Sequence, residues 1–343
     1  MPKNLFEMAK VDGETRNKEL SVDGRDTSIL MVGSKSAGKS ILLNSFLGRT
    51  DPVKPTLSLE YFYARKKITS SFHASETPKS VCSIWDMQGG LGFSSLMDIP
   101  LRALNLTNLT IFIFLDLSQP KKLWVTTDAL IKQIKAKLKA ELSSNPDLAA
   151  KLDELTRSRL GLNENPDEKR MDPVEVPVVI IGGKYDIFQN FEPENKKLIC
   201  RTLRHVAVWL GASLLFYSNS DQNLIKRAKE FLVHHAFGSP LSNLISQDYN
   251  KPLLIPAGTD SFRQIEPSGG EIGSSFELWK QAFAAVYPPE ETDTLELPSN
   301  PATNDSFKES DIDLLRKQKD LVRFNIRVKL RCSSIFAFSL PRN

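Results

Sequence analysis

The chain has 343 residues, 41% hydrophobic and 25% charged, the composition of an ordinary globular protein long enough for one large core with appendages. Its 45 Lys and Arg against 41 Asp and Glu leave a formal net charge of +4, too mild for a nucleic-acid binder, and no zinc-finger, RRM or helix-turn-helix pattern occurs. Three widely separated cysteines (Cys82, Cys200, Cys332) exclude a disulfide framework and a zinc site, and predict a reducing, cytosolic setting.

Residues 1–26 form a charged N-terminal segment without a signal-peptide core. No apolar run reaches eighteen residues, so membrane insertion is not expected. From 27 to 238 short apolar runs alternate with helical stripes, with strands expected at 27–32, 59–65, 80–86, 110–117, 177–182 and 213–217. The runs at 110–115 and 176–181 are near-continuous, as interior parallel strands covered on both faces require.

The first strand leads into Gly33-Ser34-Lys35-Ser36-Ala37-Gly38-Lys39-Ser40, a complete G-x-x-x-x-G-K-[ST] phosphate loop that opens a helical pattern. Glycines at these places let successive backbone N–H groups converge on phosphates at the positive end of the helix. Lys39 would reach the outer phosphates, and the Ser40 hydroxyl would sit on Mg²⁺. Thr56, between the first helix and the second strand, is placed to cap Mg²⁺ and a γ-phosphate. Asp86-Met87-Gln88-Gly89 ends the third strand; there Asp86 would hold Mg²⁺ through water and Gly89 would offer its N–H to the γ-phosphate. Ser40, Thr56 and Asp86 are thus the expected metal residues when nucleotide is bound.

Further along, Leu130, Ile134, Leu138 and Leu142 share one helix face, and Lys132, Lys135, Lys137 and Lys139 read as its solvated side. Residues 144–175 read as an insertion with a short helix at 147–158. After the fifth strand stands Gly183-Lys184-Tyr185-Asp186, which keeps the Lys and Asp of guanine recognition but lacks the preceding Asn. Asp186 could accept from guanine N1 and N2, and the Lys184 stem could cover the ring. The later Ser-Ala-Lys element is reduced to Ser218-Asn219-Ser220. Helices at 194–210 and 221–237 complete an α/β fold, a doubly wound, mostly parallel sheet of the Ras-like P-loop NTPase type.

Hydrolysis looks poorly equipped. Gly90 stands where small GTPases place the water-orienting Gln, Gln88 comes too early, and Lys35 fills a loop position usually left to Gly. GTP or GDP with Mg²⁺ is the expected cofactor, retained structurally or as a vestige. An ATP-using kinase would need catalytic carboxylates or arginines that the sequence does not offer.

Beyond Gly238 the chain is rich in Pro and Gly, and 239–289 reads as an irregular, partly helical C-terminal extension. Its one amphipathic helix, Ser275 to Tyr287, carries Phe276, Trp279, Phe283 and Val286 on one face, and self-docking is favoured over a partner. Residues 290–343 are expected to be a disordered tail without a strong amphipathic helix, and 321–343 have no evident physical account.

Together, the stretches 33–40, Lys54-Pro55-Thr56-Leu57-Ser58-Leu59-Glu60-Tyr61, Ile84-Trp85-Asp86-Met87-Gln88-Gly89-Gly90, 115–120 and 178–189 resemble the dynein light intermediate chains. So do Gly211-Ala212-Ser213-Leu214 and 257–262. The resemblance covers roughly residues 28–290, and the short remainder favours the branch of the ciliary motor, dynein-2. It implies a non-catalytic subunit whose Ras-like domain binds and stabilises the dynein-2 heavy chain. The other dynein-2 subunits and the intraflagellar transport machinery would be its further partners. The docking surface is expected on the 239–289 arm and its Trp279–Phe283 helix. A Ras-like switch that slowly hydrolyses GTP is the alternative.

Overall fold

The computed structural model describes residues 26–50, 52, 54, 56–67, 79–89, 94–162, 165–265, 276–289 and 309–337; the side chains of Leu104 and of 324–337 lie outside that description. Among the described residues seven strands form one sheet: β1 (Thr27–Gly33), β2 (Leu59–Lys67), β3 (Lys79–Met87), β4 (Leu109–Asp116), β5 (Val178–Gly183), β6 (Ser213–Phe216) and β7 (Leu254–Ile255). Their order is β2-β3-β1-β4-β5-β6-β7. The inner pairings are parallel, while β2 on β3 and β7 on β6 are antiparallel. All eight residues of β4 and all six of β5 are buried, as their continuous apolar runs require.

Two helices cover one face: α1 (Lys39–Leu47), through Leu42 and Leu43, and the later helix Gln222–Phe237, through Ala228, Phe231 and Leu232. On the opposite face lie α2 (Ala103–Leu106), α3 (Pro120–Ser143) and α4 (Pro146–Leu160). They are followed by α5 (Tyr185–Phe188) and α6 (Pro193–Leu210); Gln222–Phe237 is α7. Proline opens α3, α4 and α6, where its missing N–H costs nothing. Asp221 caps α7 by accepting from the N–H groups of Asn223 and Leu224. The α3 stripe is buried as expected, but its lysines are not simply solvated. Lys135 pairs with Asp172 and lies over the Trp209 ring, and Lys137 pairs with Asp98.

The C-terminal arm belongs to the same core. It adds β7, α8 (Phe262–Ile265) and α9 (Phe276–Val286). Arg204 on α6 donates from Nε and from a terminal nitrogen to the two Asp260 oxygens, both at 2.7 Å, in a buried bidentate pair. Trp279 and Phe283 are fully buried; Trp279 stacks on His205, while Trp124 and Trp209 hold Phe276. The favoured self-docking of the aromatic face therefore holds for Phe276, Trp279 and Phe283, with one correction: Val286, expected on the same face, is exposed.

A second correction concerns the tail. Residues Ser310–Ala337 form a helix, α10, where disorder was expected. The stretch has no Gly or Pro, carries Asp311 and Asp313 in its first turn, and continues with strong helix formers from Leu314 to Lys319. Residues 290–308 and 338–343 of that expectation lie outside the described residues. The chain divides into two compact units, Met1–Glu296 and Leu297–Asn343, and α10 belongs to the second.

Candidate functional site

The phosphate loop leaves the C-terminal end of β1, where chain order reverses between β3 and β4, the place at which doubly wound sheets bind ligands. Its shape needs glycine. A β-carbon on Gly33 would stand 2.0 Å from the Phe114 carbonyl oxygen, and one on Gly38 would meet the Tyr217 ring at 3.0 Å. Ser36 and Gly38 both have left-handed backbones, with φ of 58° and 95°. Such a turn directs successive N–H groups inward as an anion-binding nest.

Lys39 is buried, and its Nζ donates to the Ser34 carbonyl at 2.9 Å, closing the loop on itself. Burial lowers its pKa, and the charge of Asp86 acts in the opposite direction. Ser40 at the start of α1, Thr56 ahead of β2, and Asp86 near the end of β3 meet at one point. The Ser40 and Thr56 hydroxyls donate to Asp86 Oδ2 at 2.8 and 3.0 Å, and lie 3.2 Å from each other. The three side chains thus converge on one point, where Ser40, Thr56 and Asp86 would hold Mg²⁺. The second Asp86 oxygen is buried without a hydrogen bond, and burial raises the carboxyl's pKa despite Lys39, Ser40 and Thr56. A buried carboxylate with one empty lone-pair side fits a divalent cation, so the expected metal residues suit the ion. Glu60, opposite Asp86 across the β2–β3 ladder, also has a raised pKa, from burial first and then the Asp86 charge.

Two strand ends press on the loop. A β-carbon on Gly89 would stand 2.4 Å from Lys35 Cα, so the turn after Asp86 lies directly against the phosphate loop. One on Gly183 would stand 2.2 Å from the Ala37 carbonyl oxygen. The position has no room for a side chain such as the Asn of guanine recognition. Gly90 lies outside the described residues.

On the base side, Lys184 adopts a left-handed backbone (φ 60°), and its Nζ donates to Asp116 Oδ2 at 2.6 Å. Asp186 Oδ1 accepts from the Ser218 hydroxyl at 2.6 Å, and Ser218 in turn contacts Ser220. The reduced Ser218-Asn219-Ser220 element therefore still orients Asp186. Sequence reasoning missed Asp116 and Tyr217. A carboxylate ending the most apolar strand was the available signal for Asp116; Tyr217 beneath Gly38 had none.

A phosphate loop, a hydroxyl–carboxylate cluster and a Lys–Asp pair along one edge of a doubly wound sheet define a Ras-like α/β fold of the P-loop class. The family model "Dynein light intermediate chain (DLIC)" matches residues 4–153. "Cytoplasmic dynein 2 light intermediate chain 1" of Mus musculus is 38% identical over 331 residues, covering 92% of this chain and 93% of the relative. The protein of that name from Homo sapiens is 37% identical over 332 residues, with the same coverage. "Cytoplasmic dynein 1 light intermediate chain 1" of Mus musculus is 21% identical and matched over 57% of its length. A solved structure, "Crystal Structure of the Dynein Light Intermediate Chain's Conserved Domain", shares the fold with a TM-score of 0.52 at 20% identity, over 79% of this chain and 94% of that one. This chain belongs to the dynein light intermediate chain family.

Proposed function

We propose that the chain is a non-catalytic light intermediate chain subunit of the cytoplasmic dynein-2 motor. It binds and stabilises the heavy chain alongside the other dynein-2 subunits. The motor then serves retrograde intraflagellar transport and cilium assembly, in the cytoplasm and along the axoneme from the ciliary base. The observation that carries this reading is the likeness, across 92% of the chain, to relatives named as dynein-2 light intermediate chains.

In this reading the phosphate loop holds GDP or GTP as a structural ligand. Gly33 to Ser40 cradle the phosphates, Ser40, Thr56 and Asp86 hold Mg²⁺, and Lys184 and Asp186 flank the base. Ser40, Thr56 and Asp86 would hold the ion, whose positive charge would offset the buried carboxylate and the phosphates. Turnover is disfavoured because Lys35 fills a loop position usually left to Gly and Gly90 stands where the water-orienting Gln would be. One observation favours the alternative GTPase switch: Thr56 and Asp86 already converge, as a γ-phosphate sensor requires.

A pull-down of the tagged chain from ciliated cells, with proteins and nucleotide both identified, separates the two. Near-stoichiometric dynein-2 heavy chain supports the subunit. No motor protein, together with bound GTP that turns over, supports the switch.

A further inference from the structure

Helix α10 spans Ser310–Ala337, 28 residues or ~42 Å of helix. Every described side chain on it, residues 310–323, is exposed, including Leu314, Leu315, Leu321 and Val322. At 3.6 residues per turn, Leu314, Leu315, Leu321 and Val322 fall on one side, with Asp311 among them. Arg316, Lys319 and Arg323 fall on the opposite side together with Ile312, and Lys317 lies between the two. From Arg316 to Arg331 the sequence holds seven cations and a single acid, Asp320.

We infer that α10 binds an anionic lipid surface, lying along it with the Leu314–Leu321–Val322 side in the acyl boundary and its cations among the headgroups. The distribution of charge carries this assignment. A basic face opposite an apolar face is what an interfacial helix needs: cations attract lipid phosphates while the apolar side is buried. No helix among the described residues is long and apolar enough to cross a membrane, so the contact is peripheral. Pairing with a second copy is poorly served. Apolar residues recur every seven places at 314, 321 and 328, but the neighbouring seam carries the polar Gln318 and Asn325, and a coiled coil needs both rows apolar. The inference stands apart from the motor-subunit reading.

The test is co-sedimentation of the full chain with phosphatidylcholine vesicles, with and without about one third phosphatidylserine. Bound protein should rise at least about tenfold with the anionic lipid and fall as salt rises from ~50 to ~300 mM. Two variants at exposed positions should keep the circular dichroism of the native chain: Arg316→Glu/Lys319→Glu/Arg323→Glu and Leu321→Asp/Val322→Asp. Each should lose at least about tenfold of the binding. Equal sedimentation with neutral vesicles, or unchanged binding by the charge-reversed chain, would overturn the inference. So would a wild-type chain that ignores both vesicles but loses heavy-chain capture on Leu321→Asp/Val322→Asp, which would give the face to a protein.

Discussion

The carbonyl oxygen of Ala37 lies only 2.2 Å from the point where Gly183 would carry a β-carbon, so the end of β5 is packed directly onto the phosphate loop. At this spacing a side chain at position 183, such as the Asn of guanine recognition, would collide with the loop backbone. Gly183→Asn should therefore not restore guanine affinity. Forcing a side chain between two backbones costs about 1–3 kcal/mol, a Tm lower by roughly 2–10 °C. Thermal melting with and without GDP checks this; a variant as stable as the parent that binds GDP more tightly would contradict it.

Arg204 and Asp260 tie the C-terminal arm to α6 through two bonds of 2.7 Å in a setting that excludes water. Removing one partner strands the other charge, so Asp260→Ala should cost about 3–5 kcal/mol. The apolar pair Arg204→Met/Asp260→Leu should be much milder, because it removes both desolvation penalties at once. Urea unfolding of the single and paired variants gives the comparison.

Trp279 and Phe283 are each 0% exposed, the condition under which truncation to alanine leaves a cavity worth about 3–5 kcal/mol. Trp279→Ala should lower the melting temperature by roughly 10 °C, and heavy-chain capture should fall only as far as the folded fraction falls. Capture lost at full stability would return this face to the partner interface.

The parts of the site that were legible in the sequence are those written as short contiguous patterns. The loop from Gly33 to Ser40 and the Asp86–Gly89 turn fix their geometry within a few residues. Thr56 was found because its role demands a fixed place in chain order. The illegible parts join distant positions. Lys184 and Asp116 are 68 residues apart, and nothing local announces that Gly183 touches Ala37 or that Ser218 steadies Asp186. Strand β7 has two residues, too few for any periodicity. In α10, Val322, Phe324, Ile326 and Val328 alternate with polar residues, a strand's period of two inside a helix.

His235 gives the fold a titration below neutrality. It packs edge-on against Phe112, with its Nδ1 3.3 Å from the Thr110 hydroxyl. Burial lowers its pKa, reinforced by the nearby His234 and Arg159. The unfolded chain therefore takes up a proton near pH 6.5 that the folded chain still refuses, so stability is full above pH 6.5 and declines as pH falls below it. The slope is at most about 1.4 kcal/mol per pH unit, reduced by the ring's partial exposure. Subtracting the stability of His235→Leu across pH 4–8 should isolate this decline; parallel curves would show that His235 titrates alike in both states.

Lys39 separates a scaffold from a switch. Its ammonium is buried, closes the loop through Ser34, and is the nearest positive charge acting on Asp86. Lys39→Met keeps most of the side-chain volume and removes the charge, so Asp86 loses that offset and its pKa rises further. The folded chain then holds a proton that the unfolded chain releases, and stability falls as pH rises through the interval between the two carboxyl pKa values. Nucleotide affinity should drop by at least about tenfold, since a charge-assisted phosphate contact contributes ~1.5–3 kcal/mol. On the proposed scaffold reading, heavy-chain capture normalised to folded protein should not change. Capture and ciliary transport measured on Lys39→Met under conditions where the chain is folded decide the matter. Transport lost with capture and stability intact would mean that the loop's occupancy is read by the motor.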